Sequence, residues 1–346
     1  MKKGSYIIMI LSIICILVSC SSGKQHNDNE FNSREAQDVL EKYMDAIELN
    51  DLDKAKTFLA DEQLEKLKTP EKSKLKTSGW NMEDSMLAGS AALFKVSSSS
   101  FLDENPYSVV EEVSIKVEKI DDEYKISDIG ATNIKEAFMD KDEIRLRQKD
   151  AVKTQLVIDL EKMPSYTYYK DDVAKFNKID VPRESFDVIS LSFSGNKMAI
   201  SSSDKASYVG IVEIEDSVPT EGEEQGQQSS GESKKMTPKE IPIGKKITNI
   251  DLVDDVKIKE MAFCKREKFL AVQYEGNEKF LKCYNAESGE VVSKTLEEEF
   301  PKSKYDVVFS KFKLDKLIFD VKSKQGEDEK DGNYEMELED FEIEKL

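Results

Sequence analysis

The chain of 346 residues is poorest in the side chains that carry most enzyme chemistry, with one histidine, His26, one tryptophan, Trp80, and four cysteines. His26 lies in a polar stretch near the N-terminus, so no Ser-His-Asp or Cys-His pair is expected in a folded core. A zinc-type site built on His or Cys is excluded for the same reason. Glycine-rich phosphate loops and dinucleotide fingerprints are missing as well. The expectation is a chain with no catalytic residue, no metal and no cofactor. Cys15 falls in the N-terminal leader and Cys20 directly follows it, which leaves Cys264 and Cys283, each on an apolar run. In a strand meander those runs would lie two strand spacings apart, about 9–10 Å. That is too far for a disulfide, so both are expected as free, buried thiols.

Basic residues are also in deficit: 51 against 70 acidic ones give a net charge of −19, and two of the basic ones, Lys2 and Lys3, sit in the leader. Such a surface repels nucleic-acid phosphates and anionic lipid heads, so nucleic acid is excluded as a partner. Most of the mixed Lys/Glu runs read as solvated faces. The stretch Glu327–Gly332 resembles the start of a calcium loop, but Leu338 stands where the bidentate Glu is required, and it is read as an acidic hairpin loop. The pairs Asp121-Asp122, Asp171-Asp172 and Asp254-Asp255 are read as turns. Paired carboxylates elsewhere leave a hydrolase acting on wall polymers as the weakest alternative.

What is present begins at the N-terminus. Met1-Lys2-Lys3 precedes an apolar run, Ile7 to Leu17, which ends in Leu17-Val18-Ser19-Cys20. This resembles a bacterial lipoprotein signal peptide, residues 1–19, with its lipobox. The resemblance implies cleavage before Cys20, acylation of Cys20 and a lipid-anchored protein on the extracytoplasmic face of the cell membrane. The alternative is an uncleaved anchor, because the uncharged stretch 4–23 is long enough to cross a bilayer. Both readings place the rest of the chain outside, with Lys2 and Lys3 within. Residues 20–32 then read as a flexible tether.

Beyond the tether, Asn32 and Glu35 form a cap signal, and Ala36, Val39, Leu40, Tyr43, Met44 and Ile47 repeat at helical spacing. A second helix is predicted from Leu52 to Lys68, ended by Thr69-Pro70. The period then changes to two: Val113, Ile115 and Val117 alternate with charged residues, and Asp121-Asp122 turns the chain back through Tyr124-Lys125-Ile126. Ala36 to Leu59 and the hairpin Val109 to Ile129 resemble a nuclear-transport-factor-2-like domain. The resemblance implies an α+β N-terminal domain, residues 33–135, of two helices on a curved antiparallel sheet. Trp80 could line the mouth of its cone or pack over its core, and packing is favoured.

Residues 136–182 read as a connecting segment. Glu136 to Lys153 could be helical, Leu156-Val157-Ile158 reads as a strand, and Tyr166-Thr167-Tyr168-Tyr169 as junction packing. Residues 183–346 carry a repeat. Leu191-Ser192-Phe193-Ser194-Gly195-Asn196-Lys197-Met198-Ala199-Ile200 resembles the strand-turn-strand unit of TolB-type and WD40-like propeller blades. Met261 to Val272 repeats it, with a blade-closing turn at Ser288-Gly289, and Val307-Val308-Phe309-Ser310 with Leu317 to Val321 is a looser third copy. Phe193, Phe263 and Phe309 are 70 and 46 positions apart. The longer interval contains the polar segment 216–240, read as a disordered loop. The resemblance implies a mostly-β domain of about three propeller-blade-like repeats.

The functional expectation is a membrane-anchored, non-enzymatic binding or assembly module at the cell envelope. Its partners would be the membrane, through lipid on Cys20, and an envelope protein or peptide. A small-ligand sensor using the N-terminal pocket is the alternative.

Overall fold

The computed structural model describes residues 31–66, 74–170, 172–215, 240–326 and 328–346. The leader, the lipidation residue Cys20, His26 and the segment 216–239 lie outside the described residues. No helix among the described residues is long and apolar enough to cross a membrane.

Helix α1 (Ser33–Glu48) starts where Asn32, in extended backbone, accepts a hydrogen bond from the Arg34 amide. Its apolar stripe buries Ala36, Leu40 and Met44. The single second helix expected from Leu52 to Lys68 is two short ones, α2 (Leu52–Lys56) and α3 (Asp61–Lys66). Between them the chain leaves helical geometry to pair with a strand: the Ile126 amide donates to the Phe58 carbonyl, and the Ala60 amide to the Ile126 carbonyl, both at 2.9 Å. Burial of Leu59 and Ala60 accompanies that pairing.

Six antiparallel strands follow, β1 (Lys76–Ala88), β2 (Ala91–Leu102), β3 (Tyr107–Ile120), β4 (Glu123–Asp140), β5 (Glu143–Gln148) and β6 (Gln155–Asp159), ordered in the sheet as in the chain. The stretch 136–153 that could be helical forms the end of β4 and β5. Ala137, Ile144 and Leu146 are fully buried while Glu136, Arg145 and Arg147 are not, which is the two-residue period of a strand.

The expected α+β N-terminal domain of the nuclear-transport-factor-2 type is contradicted. The structure is mostly β, and its four α-helices among the described residues, α1–α3 and α4 (Lys294–Glu299), are few and mostly short. Beneath α1 the sheet buries Leu40, Met44, Phe94, Val96, Ile115 and Ile126 in one apolar cluster, but its other face belongs to cores shared with the C-terminal half. Val110, Ala137, Ile144, Leu146 and Val157 share one apolar cluster with Ile189, Leu191, Met198, Ile200 and Tyr208 from the C-terminal half. Phe101 joins a second shared cluster, with Val188, Ala199 and Met261. One face of this sheet carries α1 and the other packs on C-terminal strands, so burying the second face required strands that local sequence patterns do not connect to it.

After the two-residue pair β7 (Tyr166–Thr167) and β8 (Ile179–Asp180), the C-terminal half is propeller-like, built from successive antiparallel meanders. The first holds β9 (Phe186–Leu191), β10 (Lys197–Ser203), β11 (Ala206–Ile214) and β12 (Gly244–Asp254). The second holds β13 (Val256–Phe263), β14 (Phe269–Gly276) and β15 (Lys279–Asn285). The third holds β16 (Tyr305–Lys313), β17 (Lys316–Ser323), β18 (Gly332–Glu337) and β19 (Ile343–Lys345). The three sequence repeats coincide with β9–β10, β13–β14 and β16–β17. Gly195 in the first turn has φ +65°, and a Cβ there would stand 2.3 Å from the Lys135 side chain, so both conformation and space require glycine.

A cavity beneath the first helix

The last turns of α1 lie over the N-terminal ends of β1 and the middle of β2 and β3, and a cavity of about 310 Å³ remains between them. Tyr43, Met44 and Ile47 line it from α1, Asn50 from the turn that follows, Leu52 from the start of α2, and Leu75, Thr77, Ser98, Ser100, Glu111 and Val113 from the sheet side. The polar floor comes from an interruption in β2. Phe94 and Val96 continue an apolar face towards α1, and the next two residues on that face are Ser98 and Ser100. Ser99 points the other way and donates to the Leu191 carbonyl at 2.8 Å. Ser108 donates to the Ser100 carbonyl and accepts from the Leu191 amide, both at 2.9 Å. Those two serines bind the sheet to β9, while Ser98 and Ser100 leave hydroxyls under the helix.

Glu111 is directly opposite Ser98 in register. Burial pushes its carboxyl above the usual carboxylate range, and the Tyr43 hydroxyl is raised for the same reason. Among the described residues no hydrogen bond or ion pair reaches the Glu111 carboxylate. The cavity therefore combines an uncommitted acid, three hydroxyl-bearing side chains on its floor and an apolar rim. That arrangement can hold a small molecule by one polar end.

Beside the cavity, the opposite face of α1 is tied to the C-terminal half. Lys311 of β16 pairs with Asp45 at 2.5 Å. The Lys265 ammonium stands 4.2 Å from the centroid of the Trp80 ring, which is buried, so the tryptophan packs over the core and does not line a mouth. Glu48 reaches into the same junction, with one buried carboxylate oxygen that has no hydrogen-bond partner. Burial raises its carboxyl to about 8, with Lys311 and Lys265 acting in the opposite direction.

The other residues singled out in the sequence divide clearly. Cys264 and Cys283 are free and buried. Asp121 and Asp122, both with positive φ, turn β3 into β4, and Asp255 does the same between β12 and β13. In the acidic loop before β18, Asp331 accepts from the Ser323 amide at 2.6 Å and Asp328 from the Lys330 amide at 2.9 Å. Among the described residues no three His, Cys, Asp or Glu side chains converge as a metal site would require. Tyr169 packs on the shared core and bonds Asp254 at 2.6 Å, whereas Tyr166 is exposed beneath the Lys178 ammonium. Glu111 and the serines of β2 were not identified from sequence. The available signal was four consecutive serines extending an apolar strand.

No family model matches the chain, and no curated protein matches it. Among solved structures, it is similar to the β-propeller domain of Cps50 (Swd1) from Myceliophteria thermophila, with 9% identity and a TM-score of 0.25, over 71% of this chain and 97% of that one. At that score the likeness carries no argument, and the propeller-like description rests on the meanders themselves.

Proposed function

We propose that this chain is a lipid-anchored extracytoplasmic protein that works as a non-enzymatic binding module, taking a small ligand into the cavity beneath α1. The observation that carries the reading is the cavity's construction: the Glu111 carboxylate and the hydroxyls of Ser98, Ser100 and Thr77 on its floor, with mostly apolar side chains around the rest. A few polar groups on the floor of a mostly apolar cavity fix the orientation of a ligand that carries a matching group. The anchor rests on the leader and on Cys20 at its end. Cleaved and acylated there, the chain would hold the cavity outside the membrane on a short tether.

Two measurements test this reading. Replacing Cys20 by Ala is expected to abolish lipid labelling and to release the protein or leave it unprocessed; continued labelling would refute the anchor. A ligand for the cavity is expected to raise the melting temperature with concentration, following mass action. Filling the cavity by Ser98→Phe should abolish that rise in a protein that still folds. If the rise survives the substitution, the ligand binds elsewhere.

An envelope protein partner is a second reading, favoured by one observation. Met86, Leu87 and Leu93 are exposed together around the β1–β2 turn. Cross-linking in cells should recover a specific partner through this hairpin, and Leu87→Lys should reduce its recovery.

A further inference from the structure

We propose that the cavity beneath α1 selects a small ligand that carries one protonated amino group on an apolar body. This rests on the reading of the cavity as a ligand site and specifies its chemistry.

Glu111 is the one residue with an ordinarily charged side chain among those lining the cavity. An anionic ligand would meet this carboxylate with no cation to offset it. A neutral ligand would leave the carboxylate part-buried and uncompensated. A cation gives it the charge-assisted hydrogen bonds that the protein does not supply. The floor suits an ammonium group in particular, because that group has three donors and no acceptor. Glu111 takes one donor, and Ser98, its neighbour across the ladder, offers a hydroxyl oxygen for another. Ser100 and Thr77, whose hydroxyls are 3.4 Å apart, are within the same floor and offer further acceptors.

The remaining walls set the body of the ligand. Met44, Ile47, Leu52, Leu75 and Val113 offer nothing to a second charge, and the other polar side chains of the lining, Tyr43 and Asn50, are neutral. A diamine or an amino acid would place its other ionised group against them, at a desolvation cost that a plain alkyl or alicyclic amine avoids. The volume is at the lower end for a ligand pocket, roughly 300–1,000 Å³, which favours a compact body such as a single ring. The net charge of −19 adds a long-range field that draws cations towards the protein and repels anions.

The experiment uses the full chain with three probes of one shape: cyclohexylamine, cyclohexanol and cyclohexanecarboxylate. Each is titrated calorimetrically and followed by thermal melting. The amine is expected to bind roughly tenfold to a hundredfold more tightly than the alcohol, in line with a hydrogen bond to a charged group, and the carboxylate not to bind. Glu111→Gln preserves shape and is expected to bring the amine to the level of the alcohol. Ser98→Ala should weaken the amine by less. Amine affinity should also fall on acidification as Glu111 takes up its proton. If the alcohol or carboxylate binds as well as the amine, or if Glu111→Gln leaves the preference intact, the amine inference is overturned while the cavity remains a ligand site. Silence from all three probes with both proteins folded overturns the two readings together.

Discussion

Asp251 is a buried carboxylate whose side-chain partners all come from one neighbouring strand pair, while the Leu252 amide donates to its other oxygen at 2.9 Å. It accepts hydrogen bonds from the Tyr284 hydroxyl, from the Tyr274 hydroxyl at 3.3 Å and from the Lys282 ammonium at 3.2 Å, while the two tyrosine oxygens are 2.7 Å apart. Burial, with the carboxylate beside them, pushes both phenols well above the usual tyrosine range. Removing the carboxylate would leave Lys282 without its counter-charge and two buried hydroxyls with only each other. Asp251→Ala is therefore expected to cost about 3–5 kcal/mol, read from urea denaturation. A loss below 1 kcal/mol would mean that water replaces the carboxylate. Little of this network could be read from sequence. Asp251 sits in the β12 run Thr248–Asp254, where alternation alone does not tell a buried acid from a solvated one, and its partners are 23 to 33 residues away. Gly195 and Gly289 are the opposite case. Both stand in turns identified from sequence, and both have positive φ, which chain-local chemistry already demands.

Among the elements, α1 and the three strand-turn-strand repeats were legible because a helix stripe and an alternating strand each declare themselves within about ten residues. The broken second helix was not. Phe58, Leu59 and Ala60 have helical neighbours and fit a helical pattern, and only the competing bonds to Ile126 in β4 pull them out of it. Contacts between meanders were equally hidden. Gln273 in β14 donates to the carbonyls of Tyr274 at 3.2 Å, Phe280 at 3.1 Å and Val307 at 3.2 Å, and accepts from the Phe309 amide at 2.7 Å. One amide thus joins the second meander to the third. Gln273→Ala strands buried backbone groups of β16 and is expected to destabilise by about 1–3 kcal/mol. Hydrogen exchange should show the loss concentrated at Phe309 and its neighbours in β16, and a uniform loss across all strands would contradict the bridge.

At the scale of the molecule, the two halves are joined by apolar clusters, and two of the carboxyls buried in the fold resist ionisation. Glu48 is raised to about 8 and Glu260, in β13, to about 7, in both cases chiefly by burial. In the unfolded chain such groups titrate near 4.3, so between that pH and about 8 the native state holds more protons. Stability contributed by these two groups is therefore fully present below about pH 4.3, declines progressively as pH rises from there, and is lost once pH has passed through about 7 for Glu260 and about 8 for Glu48. Melting temperature should fall over that window, and Glu48→Gln with Glu260→Gln should flatten the slope. An unchanged slope would place the titrating groups elsewhere. Because the apolar clusters span both halves, heat should also unfold the six-stranded sheet and the meanders in one transition. Two separate transitions would contradict the shared core.

By itself the sequence determined what chain-local chemistry can settle: the acidic net charge, the first helix, and the turns of the repeated strand pairs. Tertiary structure alone decided that the six-stranded sheet lends its second face to the C-terminal strands. It also decided that Ser98, Ser100 and Glu111 share one cavity. Periodicity reports which residues of a segment face the same way. It does not report what that face will meet, since the meeting depends on burying apolar surface between segments that lie far apart in the chain.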